Sequence, residues 1–212
     1  NAGFPFGTVR TIAIAGTPVT ALRVTYVGEL GWELHVPVEA LAAVYEAVIT
    51  AGAAHGIRNC GYRAIESLRL EKGYRAWASD IGPDHTPIEA GLGWAVKLRQ
   101  NIDFSGRAAI EAQRGSGVKK LLAGFTVAGR DTVLLGRETI YRDGERCGWL
   151  TSAGWGYTVE RNIGYGYVRN QNGVDADHVM AGRYELEVAG ERVPAEVFLR
   201  PIYDPDMLRI KA

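Results

Sequence analysis

Cysteine is scarce in this chain, and the scarcity excludes several classes at once. Only Cys60 and Cys147 occur among 212 residues. They stand far apart, which matches neither a disulfide framework nor the paired spacing of a zinc site. An excess of either charge is missing too: 24 Lys and Arg face 24 Asp and Glu. There is thus no basic field for nucleic acid and no acidic tail. No run approaches the roughly 18 apolar residues of a membrane span, and the N-terminus lacks the charged-then-apolar pattern of a secretory leader. His35, His55, His85 and His178 are scattered without ligand spacing, so no metal site is expected. Common catalytic motifs are absent as well: no glycine loop ending in Lys-Ser/Thr, no H-E-x-x-H, no G-x-S-x-G, and no G-x-G-x-x-G after a strand. Gly91-x-Gly93 and Gly164-x-Gly166 both lack the third glycine. The expectation is a soluble chain of a reducing compartment, cytoplasmic, with neither nucleic-acid nor membrane partners.

Glycine, by contrast, is abundant. It fills 27 of 212 positions, against a usual share of about 7%, and no low-complexity run accounts for it. Glycines scattered among Trp and Tyr predict tight turns and places where the backbone approaches something closely. A chain of this length buries on the order of 70% of its unfolded surface and needs no covalent staples. It opens on Asn1 rather than Met, which reads as a processed product or a piece of something longer.

The periodicity predicts two regions. Val19–Val27 is rich in branched and aromatic residues, and Trp32, Leu34 and Val36 alternate with Glu33 and His35, the pattern of a half-buried strand. Gly28-Glu29-Leu30-Gly31 between them predicts a hairpin with Glu29 near its tip. After Pro37 the period becomes helical through Val38, Leu41, Val44, Tyr45, Val48 and Ile49, with Gly52 as the stop. A second helix is predicted from Tyr62 to Glu71, ended by Gly73. A loop holding Pro83 and Pro87 follows, then a short helix at 106–113. Arg114-Gly115-Ser116-Gly117 reads as a linker. Beyond it, strands are predicted at 120–127, 138–142, 146–152, 163–168, 183–188 and 192–198. Asp143-Gly144 is a favoured hairpin turn and Ala189-Gly190 a second. Short strands at this spacing predict a small barrel or sandwich.

Three polar or aromatic residues stand out, each with two readings. Glu29 at a loop tip can accept parallel hydrogen bonds from an amino-pyrimidine edge, or it is a solvated turn residue. Arg69 can bind a ligand carboxylate, or it forms a helical pair with Glu66 worth about 0.2–0.5 kcal/mol. Trp94 in Gly91-Leu92-Gly93-Trp94 is a flat wall for an aromatic ligand, or it is core.

Four ordered blocks carry a resemblance that bears on these readings. Val24-Thr25-Tyr26-Val27-Gly28-Glu29-Leu30-Gly31-Trp32-Glu33-Leu34 resembles the signature hairpin of the glycine cleavage T-protein (aminomethyltransferase) family. Ser67-Leu68-Arg69-Leu70-Glu71-Lys72-Gly73-Tyr74-Arg75-Ala76-Trp77, with Ser79-Asp80-Ile81, resembles the next block. Pro87-Ile88-Glu89-Ala90-Gly91-Leu92-Gly93-Trp94 and Asp103-Phe104-Ser105-Gly106 follow in order. Their spelling is closer to the folate-binding C-terminal region of sarcosine and dimethylglycine dehydrogenases than to the stand-alone T-protein. The resemblance covers roughly residues 5–110, and 120–205 fit the family's C-terminal barrel.

The resemblance implies an α+β fold: an aminomethyltransferase-like folate-binding region, incomplete at its N-terminus, over residues 1–117, then a small antiparallel β-barrel domain over 118–212. It implies tetrahydrofolate binding and one-carbon transfer, the carbon coming from an N-methylated glycine. Glu29 matches the pterin-recognising carboxylate, Arg69 an arginine of the folate cavity and Trp94 an aromatic lining it; Tyr26 and Tyr203 are further candidates. The family's catalytic Asp, and the FAD domain of a dehydrogenase, are expected in an N-terminal part of the same polypeptide, so this chain by itself is expected not to turn over. The alternatives are part of a stand-alone aminomethyltransferase and a non-catalytic binding or regulatory module on the same scaffold. In a eukaryote the expected location is the mitochondrial matrix. A pI near 7.1 with exposed cut surfaces favours self-association.

Overall fold

The structure is a computed structural model that describes residues 2–212. It forms two compact units, Asn1–Arg69 with Asp204–Ala212, and Leu70–Tyr203.

The first unit is built on a three-stranded sheet in the order β1-β2-β3. Strand β1 (Val9–Ile14) turns at Ala15-Gly16 into β2 (Thr17–Leu22). β2 buries Val19 and Ala21 and exposes Pro18 and Thr20, the period-two alternation of a strand. β3 (Glu33–His35) pairs antiparallel with it through Thr20–His35, Ala21–Leu34 and Leu22–Glu33. The expected hairpin is present with a shorter ladder, and residues 23–32 form a loop rather than a tight turn. The reason lies at Val24, the next residue whose groups would face β3: its N–H turns back to the Leu22 carbonyl at 3.0 Å, while Arg23 goes on pairing towards β1 through Thr8 at 2.9 Å and Gly7 at 2.8 Å. The buried face predicted for Trp32 and Leu34 is not buried: the two side chains are 46% and 38% exposed, on an edge strand. β1 itself was not among the expected elements.

Helix α1 (Leu41–Gly52) follows a single 3-10 turn at Val38–Ala40. Gly52 does not stop the chain as expected. The coil continues as a 3-10 turn through His55, and the left-handed residue is Gly56, at φ 71°. Gly52 is needed for space instead, because a Cβ there would lie 2.7 Å from the side chain of Ile57, which folds back over it. Helix α2 (Tyr62–Glu71) has the predicted bounds, and the division between units falls inside it, after Arg69.

The second unit contains α3 (Arg107–Ser116) and a closed antiparallel barrel. Arg114–Ser116, read above as linker, are the last turn of α3, and only Gly117, at φ 79°, breaks the helix. All six predicted strands are present: β4 (Val118–Val127), β5 (Thr139–Arg142), β6 (Glu145–Gly156), β7 (Arg161–Val174), β8 (Tyr184–Val188) and β9 (Glu191–Phe198). They close in the order β4-β7-β6-β5-β8-β9, with β9 returning to β4 at Gly124–Phe198 and Phe125–Val197. Closure leaves no unpaired edge. Both predicted two-residue turns have the positive φ pair of a type I′ hairpin, 52° and 88° at Asp143-Gly144 and 50° and 88° at Ala189-Gly190.

β6 runs past its predicted end through Gly154 and Gly156, because glycine hides strand propensity, and β7 runs past its own through the polar Arg169–Asn172, which carry no alternating apolar signal. Close approach requires glycine at Gly148, where a Cβ would collide with the Tyr167 carbonyl of β7. Inside, Phe125, Ile140, Leu150, Val168 and Leu186 are fully buried, and Phe125 meets Tyr184 edge-on at 5.2 Å. A short helix, α4 (Ala176–Ala181), was not foreseen; Asp175 caps it by accepting from the His178 N–H at 2.7 Å.

Candidate functional site

Three of the candidate residues, Tyr26, Glu29 and Arg69, lie in the first unit, and Trp94 and Tyr203 lie in the second. Tyr26 and Glu29 sit on the 23–32 loop, half-buried. The loop is held at its base by Arg23, whose guanidinium is 1% exposed. It donates to the Gly31 carbonyl at 3.2 Å and the Ala212 carbonyl at 3.3 Å, and lies 4.7 Å from the Trp32 ring centroid. Gly31 is squeezed against the chain: a Cβ there would stand 3.2 Å from the Val24 carbonyl. Val27 N–H donates to the Thr25 hydroxyl at 3.2 Å. Glu29 is therefore carried on a closed, cross-braced loop. Such bracing lowers the entropy lost when a carboxylate engages a ligand.

Arg69 is 1% exposed. Its Nε and Nη2 donate to Glu66 Oε2 at 3.1 and 2.8 Å, so the helical pair anticipated from the spacing is formed. With one carboxylate oxygen taking two N–H groups, the guanidinium plane is set by α2.

In the second unit Trp94 lies on a 3-10 turn, Gly93–Ala95, and is 75% exposed. Exposure excludes the core reading. The ring helps to wall a cavity of about 560 Å³ with Ile88 and Ile110, and the charged lining is Lys97, Arg99 and Arg114, without an Asp or Glu. A volume of this order suits a small planar ligand, and an all-cationic lining suits an anionic one. Tyr203 is half-buried, and its N–H donates to the Glu71 carbonyl at 3.3 Å.

The buried charges of this unit were not singled out from the sequence. Glu71 is fully buried, and its Oε1 accepts from the Thr158 and Val159 N–H groups at 2.6 and 3.0 Å. Asp80 is 1% exposed; Oδ1 accepts from Thr151 Oγ1 at 2.5 Å and Ser152 Oγ at 2.6 Å, and Oδ2 from the Ala76 N–H at 2.9 Å. Tyr167 donates its hydroxyl to the Asp80 carbonyl at 2.9 Å, and burial holds that phenol well above its ordinary range. Arg75 donates to the carbonyls of Ala90 and Gly73 at 3.1 and 2.6 Å, and burial lowers its affinity for the proton. The only available signal was charge inside the Ser67–Ile81 block, and charge alone does not distinguish a buried hub from a solvated face.

Reduced folate offers an amino-pyrimidine edge of N–H donors, a planar middle and an anionic tail. Taken unit by unit, the second has a bare tryptophan face beside a cavity whose charged residues are all cationic, which suits a planar anionic group, and the first has a carboxylate on a braced loop, which suits N–H donors. Among the described residues no His, Cys, Asp and Glu cluster suits a metal ion, and no helix is long and apolar enough to cross a membrane.

Comparison with known proteins gives a consistent outcome. The GCVT N-terminal domain model matches residues 1–100, and the glycine cleavage T-protein C-terminal barrel domain model matches 120–204. Sarcosine dehydrogenase, mitochondrial, of Mus musculus is 46% identical over 213 residues, spanning 100% of this chain and 23% of the relative. Dimethylglycine dehydrogenase, mitochondrial, of Rattus norvegicus is 36% identical over 199 residues, spanning 94% of this chain and 23% of the relative. The crystal structure of the glycine cleavage system aminomethyltransferase T of Bartonella henselae superposes with a TM-score of 0.82 at 25% identity, covering 97% of this chain and 54% of that one. The chain thus spans about a quarter of the length of the two dehydrogenases.

Proposed function

We propose, from the premise that this chain belongs to the glycine cleavage T-protein family, that it is the tetrahydrofolate-binding, one-carbon-transfer region of a sarcosine- or dimethylglycine-dehydrogenase-like enzyme. The observation that carries the proposal is Glu29, a half-buried carboxylate at the centre of a loop braced by Arg23 and Gly31. A carboxylate so held can take two parallel N–H donors of a pterin edge, a charge-assisted geometry that favours one ring system over others. Arg69 and Tyr26 are the companions we assign to Glu29 for holding the folate, and Trp94 and Tyr203 are assigned as lining residues.

Tetrahydrofolate, when bound, supplies the nitrogens that accept the one-carbon unit. The roles of this chain's own groups are to recognise and orient: Glu29 by its two oxygens, Arg69 by a guanidinium whose plane is set by Glu66, and Trp94 by an exposed face. Oxidation of the amine, any flavin, the catalytic Asp and the N-methylated glycine substrate belong in this proposal to the longer polypeptide. For a eukaryotic host the mitochondrial matrix is the proposed location. The 46% identity to a sarcosine dehydrogenase over the whole chain favours this reading over a lone aminomethyltransferase.

The test is calorimetric titration of the intact protein, and of its Glu29→Ala variant, with tetrahydrofolate kept reduced. Loss of the charge-assisted contact costs about 1.5–3 kcal/mol, roughly ten- to a hundredfold in affinity, with an unchanged melting temperature. Equal affinity in the variant would remove the support that Glu29 gives.

A further inference from the structure

The ladder between β6 and β7 stops short of one end of the barrel. It runs from Gly156–Arg161 to Leu150–Gly166 and no further. Beyond that pair β6 continues against β5 and β7 against β4. A cavity of about 300 Å³ lies there, lined by residues 146–149 of β6 and 169–171 of β7. It shares no lining residue with the Trp94 cavity, and none of the folate candidates belongs to it.

β7 is irregular where it lines this cleft. Lys120 pairs with Arg169 and Val118 with Val174, so residues 170–173 bulge opposite Lys119 alone. A bulge re-aims the side chains it carries. Here the Asn170 carbonyl oxygen turns back to accept from the Asn172 N–H at 3.0 Å. Only the oxygen of an amide can accept, so the N–H groups of Asn170 are the part left to meet a ligand.

The charged lining is Arg146 and Arg169, without an Asp or Glu, and neither guanidinium has an ion pair among the described residues. Arg169 is half-buried. It lies 3.9 Å from the Trp149 ring centroid and gives one N–H to the Tyr167 carbonyl at 3.5 Å. Burial loosens its hold on the proton, against the pull of Tyr167, Cys147 and Glu89. Glu89 is itself engaged by the Thr86 N–H at 2.9 Å and Lys120 at 3.7 Å. A partly desolvated cation without a counter-ion is costly, and stacking on Trp149 fixes the plane in which the fork of Arg169 is presented.

We propose that this cleft binds a phosphoryl group through Arg169, Arg146 and Asn170. The donor count selects phosphoryl over carboxylate. Two guanidinium forks and one amide offer about six N–H donors, which the three terminal oxygens of a phosphate can accept and the roughly four lone-pair sites of a carboxylate cannot. Two arginines also match the charge of a dianion. Inorganic phosphate and a small phosphate monoester share this chemistry, and the volume is at the lower end for a ligand cavity. The proposal is independent of the folate reading.

The test is calorimetric titration of the intact protein, in salt of physiological strength, with inorganic phosphate, glycerol 3-phosphate and acetate. Saturable binding of either phosphate, and weaker binding of acetate, is expected; the tighter of the two phosphates tells the free anion from the ester. Arg169→Lys keeps the charge and loses the fork, and should weaken binding about tenfold. Arg146→Ala, at an exposed position, should weaken it about two- to fivefold. Asn170→Asp keeps the acceptor for the Asn172 N–H but replaces the donor by a negative charge. It should weaken binding about ten- to a hundredfold without a lower melting temperature; an Asn170 that serves only the turn would leave affinity unaltered. No saturable binding of either phosphate overturns the proposal, as does unaltered affinity in Asn170→Asp and Arg169→Lys. Acetate binding as tightly as phosphate would make this a carboxylate site, and displacement of phosphate by tetrahydrofolate would make it part of the folate site; either result refutes a separate phosphoryl site.

Discussion

Asp80 is the residue whose removal the structure makes most informative. Its carboxylate is buried, with Asp80 1% exposed, and accepts hydrogen bonds from Thr151 Oγ1, Ser152 Oγ and the Ala76 N–H. Asp80→Ala deletes these acceptor contacts at once. Each bond to a charged group contributes about 1.5–3 kcal/mol. Two corrections reduce the sum: Thr151 retains the Tyr165 carbonyl at 3.1 Å, and the desolvation of a buried carboxylate is recovered. The net loss expected is about 3–5 kcal/mol, or a melting temperature lower by about 10 °C in a domain of this size. Asp80→Asn should lose only about 1–2 kcal/mol. Its amide oxygen can still accept from Ala76, and the two hydroxyls can rotate to accept from its amino group. Urea unfolding followed by tryptophan fluorescence reads both variants against wild type. A loss below about 1 kcal/mol for Asp80→Ala would refute the view of Asp80 as the hub joining the 76–81 loop to β6.

The remaining predictions concern titration and reactivity. Burial, then the Lys120 ammonium, push the His85 imidazole below its ordinary pKa, against the pull of Glu89 and Asp84; its Nδ1 is buried without a partner. The unfolded chain therefore binds this proton more readily than the folded one. The contribution of neutral His85 to stability is full above about pH 6.5 and is lost as the pH falls below it. Unfolding midpoints measured from pH 7.5 to 5 should fall more steeply in wild type than in His85→Gln, and parallel slopes would contradict this. Burial raises the Cys147 thiol to about 11, so at pH 8 about one molecule in a thousand carries the thiolate. Iodoacetamide should label the exposed Cys60 well before Cys147, as mass spectrometry of timed samples will show; equal rates would mean that Cys147 is not shielded.

The barrel was legible because its signals are local. Asp143-Gly144 and Ala189-Gly190 each specify a turn by their own dihedral preferences, and alternation within each strand marks the buried face. Where a local signal is ambiguous, reading failed in a way that can be traced. Gly52 reads as a helix stop, yet it is there to admit Ile57, and the stop is Gly56. Gly154 and Gly156 shorten the apparent β6, while Gly148 and Gly166 permit the backbones of β6 and β7 to approach. Of the candidate residues, the sequence pairs Arg69 with Glu66 correctly because their spacing lies on one helix. It does not show that the arginine is buried, since burial depends on what packs around the helix.

By itself, then, the sequence determined whatever depends on neighbouring residues: the bounds of α2, the six barrel strands, their hairpin turns and the blocks that identify the family. Only the tertiary structure decided which charges are interior and which aromatic rings are bare. Arg23, Glu71 and Asp80 are buried while Trp77 and Trp94 face outward, the reverse of what hydrophobicity alone dictates. The reason is that a charge can be buried when distant backbone and hydroxyl groups converge on it, and an apolar ring can be held exposed when a braced loop leaves it no inward path; both conditions are set by residues far away in the chain.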